Sequence, residues 1–398
     1  MPTQELFNKQ DPIPRIAVIV ETTRAYGRRI VEGVGLYARE NQPWMLMVEP
    51  RSLTDPLPDW FDQWQGDGII ARVTSQQVAR QLLAKRLPLV NLKVSETQVS
   101  LPQPQVQVDQ VAIGQLAAQH FLDRGFRQFG FVGGAGLAWS DGRLAGFQKE
   151  VEMAGYSCSP YPNSMVSVKK GTEGHIGLSV SELTCWLNTL PKPVGILAAD
   201  DFLALQLLNA CHSAGIHVPD QAAIAGVDDE ELICTHSYPR LTSVVPDNVR
   251  LGKEAAALLD RLMRGETVPD QPCLIPPKEI VTRQSSDIVA IEDPVMAEAI
   301  RYIRTNACKQ IGIDDVCRHV KTSSSTLQRR FRHLIGYSIY DYILYQRLAQ
   351  VRTLLSDTEL PLKTIAFRSG FRHFEHLSAL FKKKTGYTLN EFRMGKLR

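Results

Sequence analysis

Eight side chains in this sequence are of types that grip a polyol: Glu21, Tyr26, Asp109, Trp139, Arg143, Asp200, Asp201 and Asp228. Each follows a short apolar run or a tight loop. Glu21–Arg28 follow Arg15–Val20, Asp109 follows Gln105–Val108, Trp139 and Arg143 follow the loop Gly133–Gly136, Asp200 and Asp201 follow Ile196–Ala199, and Asp228 and Asp229 follow Ala223–Val227. Carboxylates accept hydrogen bonds and a guanidinium donates them, so the set suits vicinal hydroxyls, which do both. A Trp or Tyr face can cover the apolar C–H face of a sugar ring. The combination favours a monosaccharide over a nucleotide. Gly133, Gly134 and Gly136 lack the GxGxxG spacing of a phosphate loop and read as a tight turn. The aspartates have a second possible use: Asp228 with Glu231 has the spacing of a capping box, and Asp200 or Asp201 can cap the helix that follows.

A second set of residues lies near the carboxyl end. Leu327, Phe331, Gly336, Tyr337, Ser338, Ile339, Asp341 and Tyr342 recur 50 residues later as Leu377, Phe381, Gly386, Tyr387, Thr388, Leu389, Glu391 and Phe392. Each copy reads as the second helix of a helix-turn-helix with the turn that closes it. Leu and Phe at i, i+4 face inward, which leaves polar side chains outward. In the first copy these are Ser324, Ser325, Gln328, Arg329 and Arg332. In the second they are His373, Glu375, His376, Ser378, Lys382 and Lys383, with the small apolar Ala379 on the same side. Arg and Lys neutralise phosphates, and Arg, Gln, Ser, His and Glu can read base edges. The charge distribution agrees. Residues 290–398 hold 19 Lys+Arg and 10 Asp+Glu, a balance of +9, whereas 1–289 hold 26 and 32, a balance of −6. A basic tail on an acidic body is the footprint of a polyanion-binding module.

The elements that position these residues follow from periodicity. Strand-like runs are Arg15–Val20, Trp44–Glu49, Gly68–Ala71, Leu87–Leu92, Phe129–Val132, Val194–Ala198 and Ala223–Gly226. Helix-like runs include Arg28–Asn41, Val111–Arg124, Leu144–Ala154, Phe202–Ala214 and Arg250–Met263. This alternation predicts parallel sheets covered by helices, in two Rossmann-like lobes with a cleft between them. A Pro-rich stretch, Val268–Pro277, and a strand-like Glu279–Arg283 follow, and the polar Gln284–Asp287 reads as a linker. Everything beyond is expected to be all-α. The expected division is a two-lobed sensing domain over 1–287 and a DNA-binding domain over 288–398. Its helix-turn-helix units span about 313–334 and 362–384. Within these, Ile313–His319 and Leu362–Ser369 are the supporting helices, Gly370 needs a left-handed turn, and Ile339–Leu355 is a long helix between the units.

Seven scattered cysteines with no CxxC pair argue against a disulfide scaffold or a zinc site, and nine histidines show no ligand spacing, so no metal is expected. The amino-terminal MPTQELFNKQDPIPR has no apolar signal core, and no run approaches the ~18 apolar residues of a membrane span, so a cytoplasmic protein without a membrane partner is expected.

The carboxyl-terminal hundred residues resemble the AraC family of transcription regulators. The resemblance is carried by Ala366, Gly370, Phe371, Phe381–Lys383, Gly386 and Thr388–Arg393. One position departs: Leu389 stands where the family usually has Pro, which implies a looser start for the last helix. The body resembles lactose-repressor-type regulators and periplasmic sugar-binding proteins through Asp109, His120, Gly125, Gly133, Arg143–Phe147, Ala198–Asp201 and Gly226–Asp229. That resemblance implies that Arg143, Asp200 and Asp228 point into the cleft and hold sugar hydroxyls, with Asp200 in place of the family's Asn. The two parts together are similar to the bacterial xylose operon regulators. Ala25–Arg28, Val31–Gly35, Asp228–Leu232, Pro276–Asp287, Asp293–Val316 and Trp139 carry that similarity. It implies D-xylose, or a related monosaccharide, as effector and no cofactor. It also implies operator DNA as partner, a homodimer with dimerisation added to the role of the 1–287 domain, and RNA polymerase as partner if the regulator activates. Three rival classes remain open to test: a sugar-binding transport component, a sugar enzyme and a ligand-free architectural DNA binder. The second has no P-loop, metal cluster or Ser/His/Asp motif to support it.

Overall fold

The computed structural model describes residues 13–52, 55–73, 75–92, 104–162, 178–268, 271–288, 293–309, 311–335 and 337–395. Residues 1–12 and Gly336 of the repeat lie outside them. The chain divides into two compact units, Met1–Ile288 and Val289–Arg398.

In chain order the first unit runs β1 (Arg15–Ile19), α1 (Ala25–Glu40), β2 (Met45–Met47), β3 (Gly68–Ala71), α2 (Gln76–Ala84), β4 (Leu89–Asn91), β5 (Val106–Val108) and α3 (Gln110–Leu122). It continues with β6 (Phe129–Val132), α4 (Ala138–Met153), β7 (Cys158–Pro160), α5 (Val180–Thr189), β8 (Val194–Ala198), α6 (Asp201–Ser213) and β9 (Ala222–Val227). It ends with α7 (Glu231–His236), β10 (Thr242–Pro246), α8 (Asn248–Met263), β11 (Cys273–Ile275) and β12 (Pro277–Val281). One lobe is the parallel sheet β2-β1-β3-β4, against which α8 packs through β3 and β4. The other is the sheet β12-β10-β9-β8-β6-β7, parallel except for the antiparallel edge strand β12. The chain crosses between lobes three times, at β5 to α3, β10 to α8 and β11 to β12, with β5 and β11 paired in parallel beside the first lobe. Central strands such as β8 and β9 are buried along their whole length, as strands covered on both faces must be. Ligands of such sheets bind beyond the carboxyl ends of the strands, and the two lobes present those ends to one cleft.

The segment Gln284–Asp287 is not a linker. Ser285 and Ser286 are wholly buried. The Ser285 hydroxyl donates to the Ile224 carbonyl (2.6 Å) and accepts from the Thr242 amide (2.8 Å). Ser286 shares its hydroxyl with Thr242 (2.8 Å) and His120 (2.7 Å). Burial, with Arg124 beside it, holds the His120 ring down at a pKa of about 3, so it is neutral. A polar sequence is here a buried hydrogen-bonded knot that fastens the end of the first unit to the second lobe.

The second unit comprises α9 (Pro294–Asn306), α10 (Ile313–His319), α11 (Ser324–Ile335), α12 (Ile339–Asp357), α13 (Leu362–Arg368), α14 (Phe374–Thr385) and α15 (Leu389–Gly395), with no strand among the described residues. It has two cores. Met296, Ile300, Val316, Leu327, Phe331, Ile339 and Ile343 form the first, and Leu344, Leu348, Val351, Ile365, Leu377, Phe381 and Leu389 belong to the second. α12 therefore serves both. The 50-residue repeat is explained by packing and capping. Phe331 meets Tyr342 edge-on at 5.5 Å, and Phe381 meets Phe392 edge-on at 5.4 Å. Ser338 and Thr388 accept from the Asp341 and Glu391 amides, capping the next helix in each copy. Thr388 and Glu391 complete a reciprocal capping box, since the Thr388 amide donates to Glu391 (2.7 Å). Leu389 at the start of α15 is buried in the second core, so the absence of Pro does not loosen that helix.

Candidate functional site

The cleft is built at the carboxyl ends of the strands. On the first lobe, Glu21 follows β1 and is buried beneath Arg72, with which it pairs. Its second oxygen, Oε2, is buried without a hydrogen-bond partner. Arg72 lies over the Tyr26 ring at 5.0 Å. The loop between β1 and α1 passes so close that a Cβ on Gly27 would lie 1.6 Å from the Glu21 carbonyl oxygen, so only glycine fits there. On the second lobe, Arg143 is 4% exposed. It donates to Gln110 Oε1 (2.8 Å) and to the Ala199 carbonyl, faces Asp228 at 3.5 Å, and lies over the Trp139 ring at 5.2 Å.

The two sides meet. Burial raises the pKa of the Tyr26 hydroxyl, the negative charge of Asp228 raises it further, and Arg143 opposes both. Tyr26 of one lobe thus lies within electrostatic reach of Asp228 and Arg143 of the other. Arg24 sits 3.6 Å from Asp200 across the cleft, with its guanidinium over the Phe202 ring at 5.0 Å. Burial pushes the Asp200 carboxyl up, and Arg24 pulls it back. Glu230 reaches from the second lobe to the start of α1, accepting from the Ala25 amide (2.8 Å) and from Arg28 (3.0 Å).

The adjacent aspartates have separate jobs. Asp200 caps α6, accepting from the Leu203 amide at 2.7 Å with one oxygen, and keeps the other toward Arg24. Asp201 does not face the cleft. It is 1% exposed, and it accepts from the Glu230 amide (2.8 Å), Ser243 (2.7 Å) and the Cys234 thiol (3.4 Å). Its carboxyl is pushed well up by burial. The reason is geometric: as the first residue of α6, just past the cap, it turns its side chain under the β9–α7 loop. Asp228 forms no capping box with Glu231, because Glu230 is the residue before α7 and Asp228 has φ 105°. Asp109 caps α3, accepting from the Ala112 amide at 2.9 Å, at a crossover between lobes. The glycine loop is also accounted for: the Gly134 amide donates to Ser140 (3.0 Å) and the Gly136 amide to Asp141 (3.1 Å). Asp201→Ala is expected to lower the melting temperature by several degrees, since it strands at least two buried donors at about 1–3 kcal/mol each. Asp200→Ala is expected to weaken sugar binding more than it lowers melting. Thermal melts and sugar titrations of both variants check this division.

Arg24, Arg72, Phe202 and Asn248 were missed from sequence. Arg72 directly follows β3, so the rule that selected the other residues also points to it. Asn248 opens α8 beside a crossover, is 1% exposed, and has both amide atoms buried without a partner. Such an orphan carries a desolvation penalty that a hydroxylated ligand or water would remove.

The second site is the outer face of the helix-turn-helix pair. Ser325, Gln328, Arg329 and Arg332 on α11 are exposed, as are Glu375, His376, Lys382 and Lys383 on α14 and His373 just before it. Ser324 and Ser378 are half-buried, and Ser324 accepts from Gln328 at 2.8 Å. Gly370 has φ 81°, the left-handed turn that joins α13 to α14. Its Cα lies where a Cβ would press on Cys308 at 2.9 Å, so the turn also packs against the first half of the unit.

Among the described residues no group of His, Cys, Asp or Glu could hold a metal, and no helix is long and apolar enough to cross a membrane. Three domain families match the chain: the XylR N-terminal domain over 15–112, the periplasmic binding protein-like domain over 118–286 and a helix-turn-helix domain over 316–395. The xylose operon regulatory protein of Escherichia coli (strain K12) is 31% identical over 388 residues, covering 95% of this chain and 96% of that protein. The arabinose operon regulatory protein of the same strain is 36% identical over 104 residues, 26% of this chain and 36% of that protein. A solved structure described as the xylose-binding transcription activator xylR superposes with a TM-score of 0.77 at 30% identity, covering 96% of this chain and 98% of the other. The lobed body, the paired helix-turn-helix units and a likeness that runs the length of both chains have one meaning. This chain belongs to the xylose operon regulatory protein family, sugar-responsive DNA-binding transcription regulators rather than enzymes.

Proposed function

We propose that D-xylose, or a closely related pentose, binds between the lobes and that closure changes how α11 and α14 engage operator DNA, activating pentose catabolic genes. The observation that carries this reading is the pairing of Arg24 with Asp200, 3.6 Å apart across the cleft, together with the buried Arg143–Asp228 pair. Glu21 Oε2 and the Asn248 amide, buried and unpartnered, add an acceptor and a donor–acceptor pair suited to hydroxyls. Arg143 donates to the sugar, Asp200 and Asp228 accept from it, and Trp139 covers its C–H face. A ligand held by both lobes favours the closed state through its differential affinity. The names of the relatives support xylose and activation. Sensing and dimerisation are assigned to 1–287 and operator reading to 288–398. A homodimer carries four reading helices, RNA polymerase is the partner of the activated state, and the protein acts in the cytoplasm without a cofactor.

Calorimetric titration with D-xylose, L-arabinose, D-ribose and glucose tests the reading. Saturable binding of one pentose supports it. No binding of any of the four overturns it and leaves a body that takes another ligand or serves only dimerisation. Lys382→Ala tests the DNA face: it is expected to weaken duplex binding uniformly across sequences and to lower the salt slope by about one unit. A loss confined to one base position assigns Lys382 to readout instead.

A further inference from the structure

The loop after β9 joins three parts of the first unit at one carboxylate. Asp228 and Asp229 take φ values of 105° and 49°, left-handed conformations that persist only where the surroundings over-determine them. The Asp228 amide donates to the Val244 carbonyl (3.0 Å) and the Asp229 amide to Ser243 (3.0 Å). Arg29, on α1 of the opposite lobe, donates to the Asp228 carbonyl (3.1 Å) and the Asp229 carbonyl (3.0 Å), and lies 3.5 Å from the Asp229 carboxylate. The other oxygen of that carboxylate accepts from Arg283 at 2.8 Å. Arg283 follows β12 and precedes the buried knot of Ser285 and Ser286. Its backbone amide donates to Thr242 (2.8 Å) and its guanidinium to the Leu241 carbonyl (3.0 Å). Asp229 is thus shared between the opposite lobe and the last strand before the chain leaves the unit, one residue from the carboxylate that faces Arg143.

We propose that Arg29–Asp229–Arg283 is the relay that carries lobe closure from the cleft to the chain's exit toward the DNA-binding unit. This rests on the sugar-sensing reading above. Arg29 moves with the first lobe, so opening withdraws one of the two cations on Asp229 and shifts the strained loop against Arg283. Arg283 and Asp229 are positioning residues. They are not assigned contact with sugar or DNA.

The test uses the full chain, D-xylose, and a duplex that the protein itself selects from a random-sequence pool. Wild-type duplex affinity is expected to change by about 5–150-fold on saturation with D-xylose, the usual range for coupled sites. In Arg283→Gln and in Asp229→Asn that ratio is expected to fall to about one while the D-xylose Kd stays within about threefold of wild type, and Arg283→Lys recovers part of the ratio. Retention of the wild-type ratio by either folded variant overturns the relay. Loss of D-xylose binding in both variants also overturns it, by making these residues part of the sugar site. Asp229→Asn stands alone as the test if Arg283→Gln fails to fold. A wild-type protein that binds no pentose overturns the sensing reading itself, which the first titration detects before any variant is made, and a different pentose selected by that titration takes the place of D-xylose in the test.

Discussion

Arg143→Ala is expected to weaken D-xylose binding by more than about 100-fold while duplex binding in the absence of sugar persists. Arg143 is buried, and it pairs with the Asp228 carboxylate at 3.5 Å. Removing it takes away charge-assisted hydrogen bonds worth about 1.5–3 kcal/mol each, and two of them exceed the ~2.8 kcal/mol that corresponds to 100-fold. It also leaves Gln110 and the Ala199 carbonyl without their donor. Calorimetry reads the sugar arm, fluorescence anisotropy with a labelled duplex reads the DNA arm, and a thermal melt reports folding. A folded variant with unchanged D-xylose affinity places the sugar elsewhere.

Phe381→Ala is expected to do the reverse. The ring is fully buried in the second core of the helical unit, edge-on to Phe392. Truncating a buried Phe costs about 3–5 kcal/mol, a large part of the ~5–15 kcal/mol that holds a domain together. Duplex binding should fall by more than tenfold and the melt of the helical unit should move down, with D-xylose affinity unchanged. Because Phe331 occupies the same place in the first core, Phe331→Ala should behave alike. Duplex affinity that survives Phe381→Ala would mean that the second reading helix contributes nothing to binding.

Much of this was legible in the sequence where the signal is local. β3, β6 and β8 begin and end where continuous apolar runs begin and end. α10 and α13 follow the inward spacing of Val316, Ile365 and Ala366. Illegible features depend on distant partners. Periodicity starts α1 at Arg28, yet the helix begins at Ala25. Arg24 offers no side-chain cap, and Glu230 caps the helix from 205 residues away. α4 begins at Ala138 rather than Leu144, where a polar first turn packs beside α3. β10 escaped notice because Thr242 and Ser243 read as loop residues, although their hydroxyls are satisfied by Arg283 and Asp201. β7 and β11, each of three residues, are too short to show a period, whereas β5 lies within the run Gln105–Val108. In the cleft, sequence could place two aspartates after β8 but could not say which one α6 would turn inward. Asn248 carries no local signal in the sequence, and only its burial marks it.

The two cores of the helical unit share α12, with Ile339 and Ile343 in one and Leu344, Leu348, Val351 and Leu355 in the other. A helix that serves two cores fixes phase as well as distance. One inserted or deleted residue between Ile343 and Leu344 would turn one core about 100° and slide it about 1.5 Å against the other, and no side-chain repacking absorbs that. The helix is therefore free to vary its surface but not the length between its two cores. It sets the spacing of α11 and α14 as a fixed dimension, which exchange of the exposed side chains on those two helices leaves untouched.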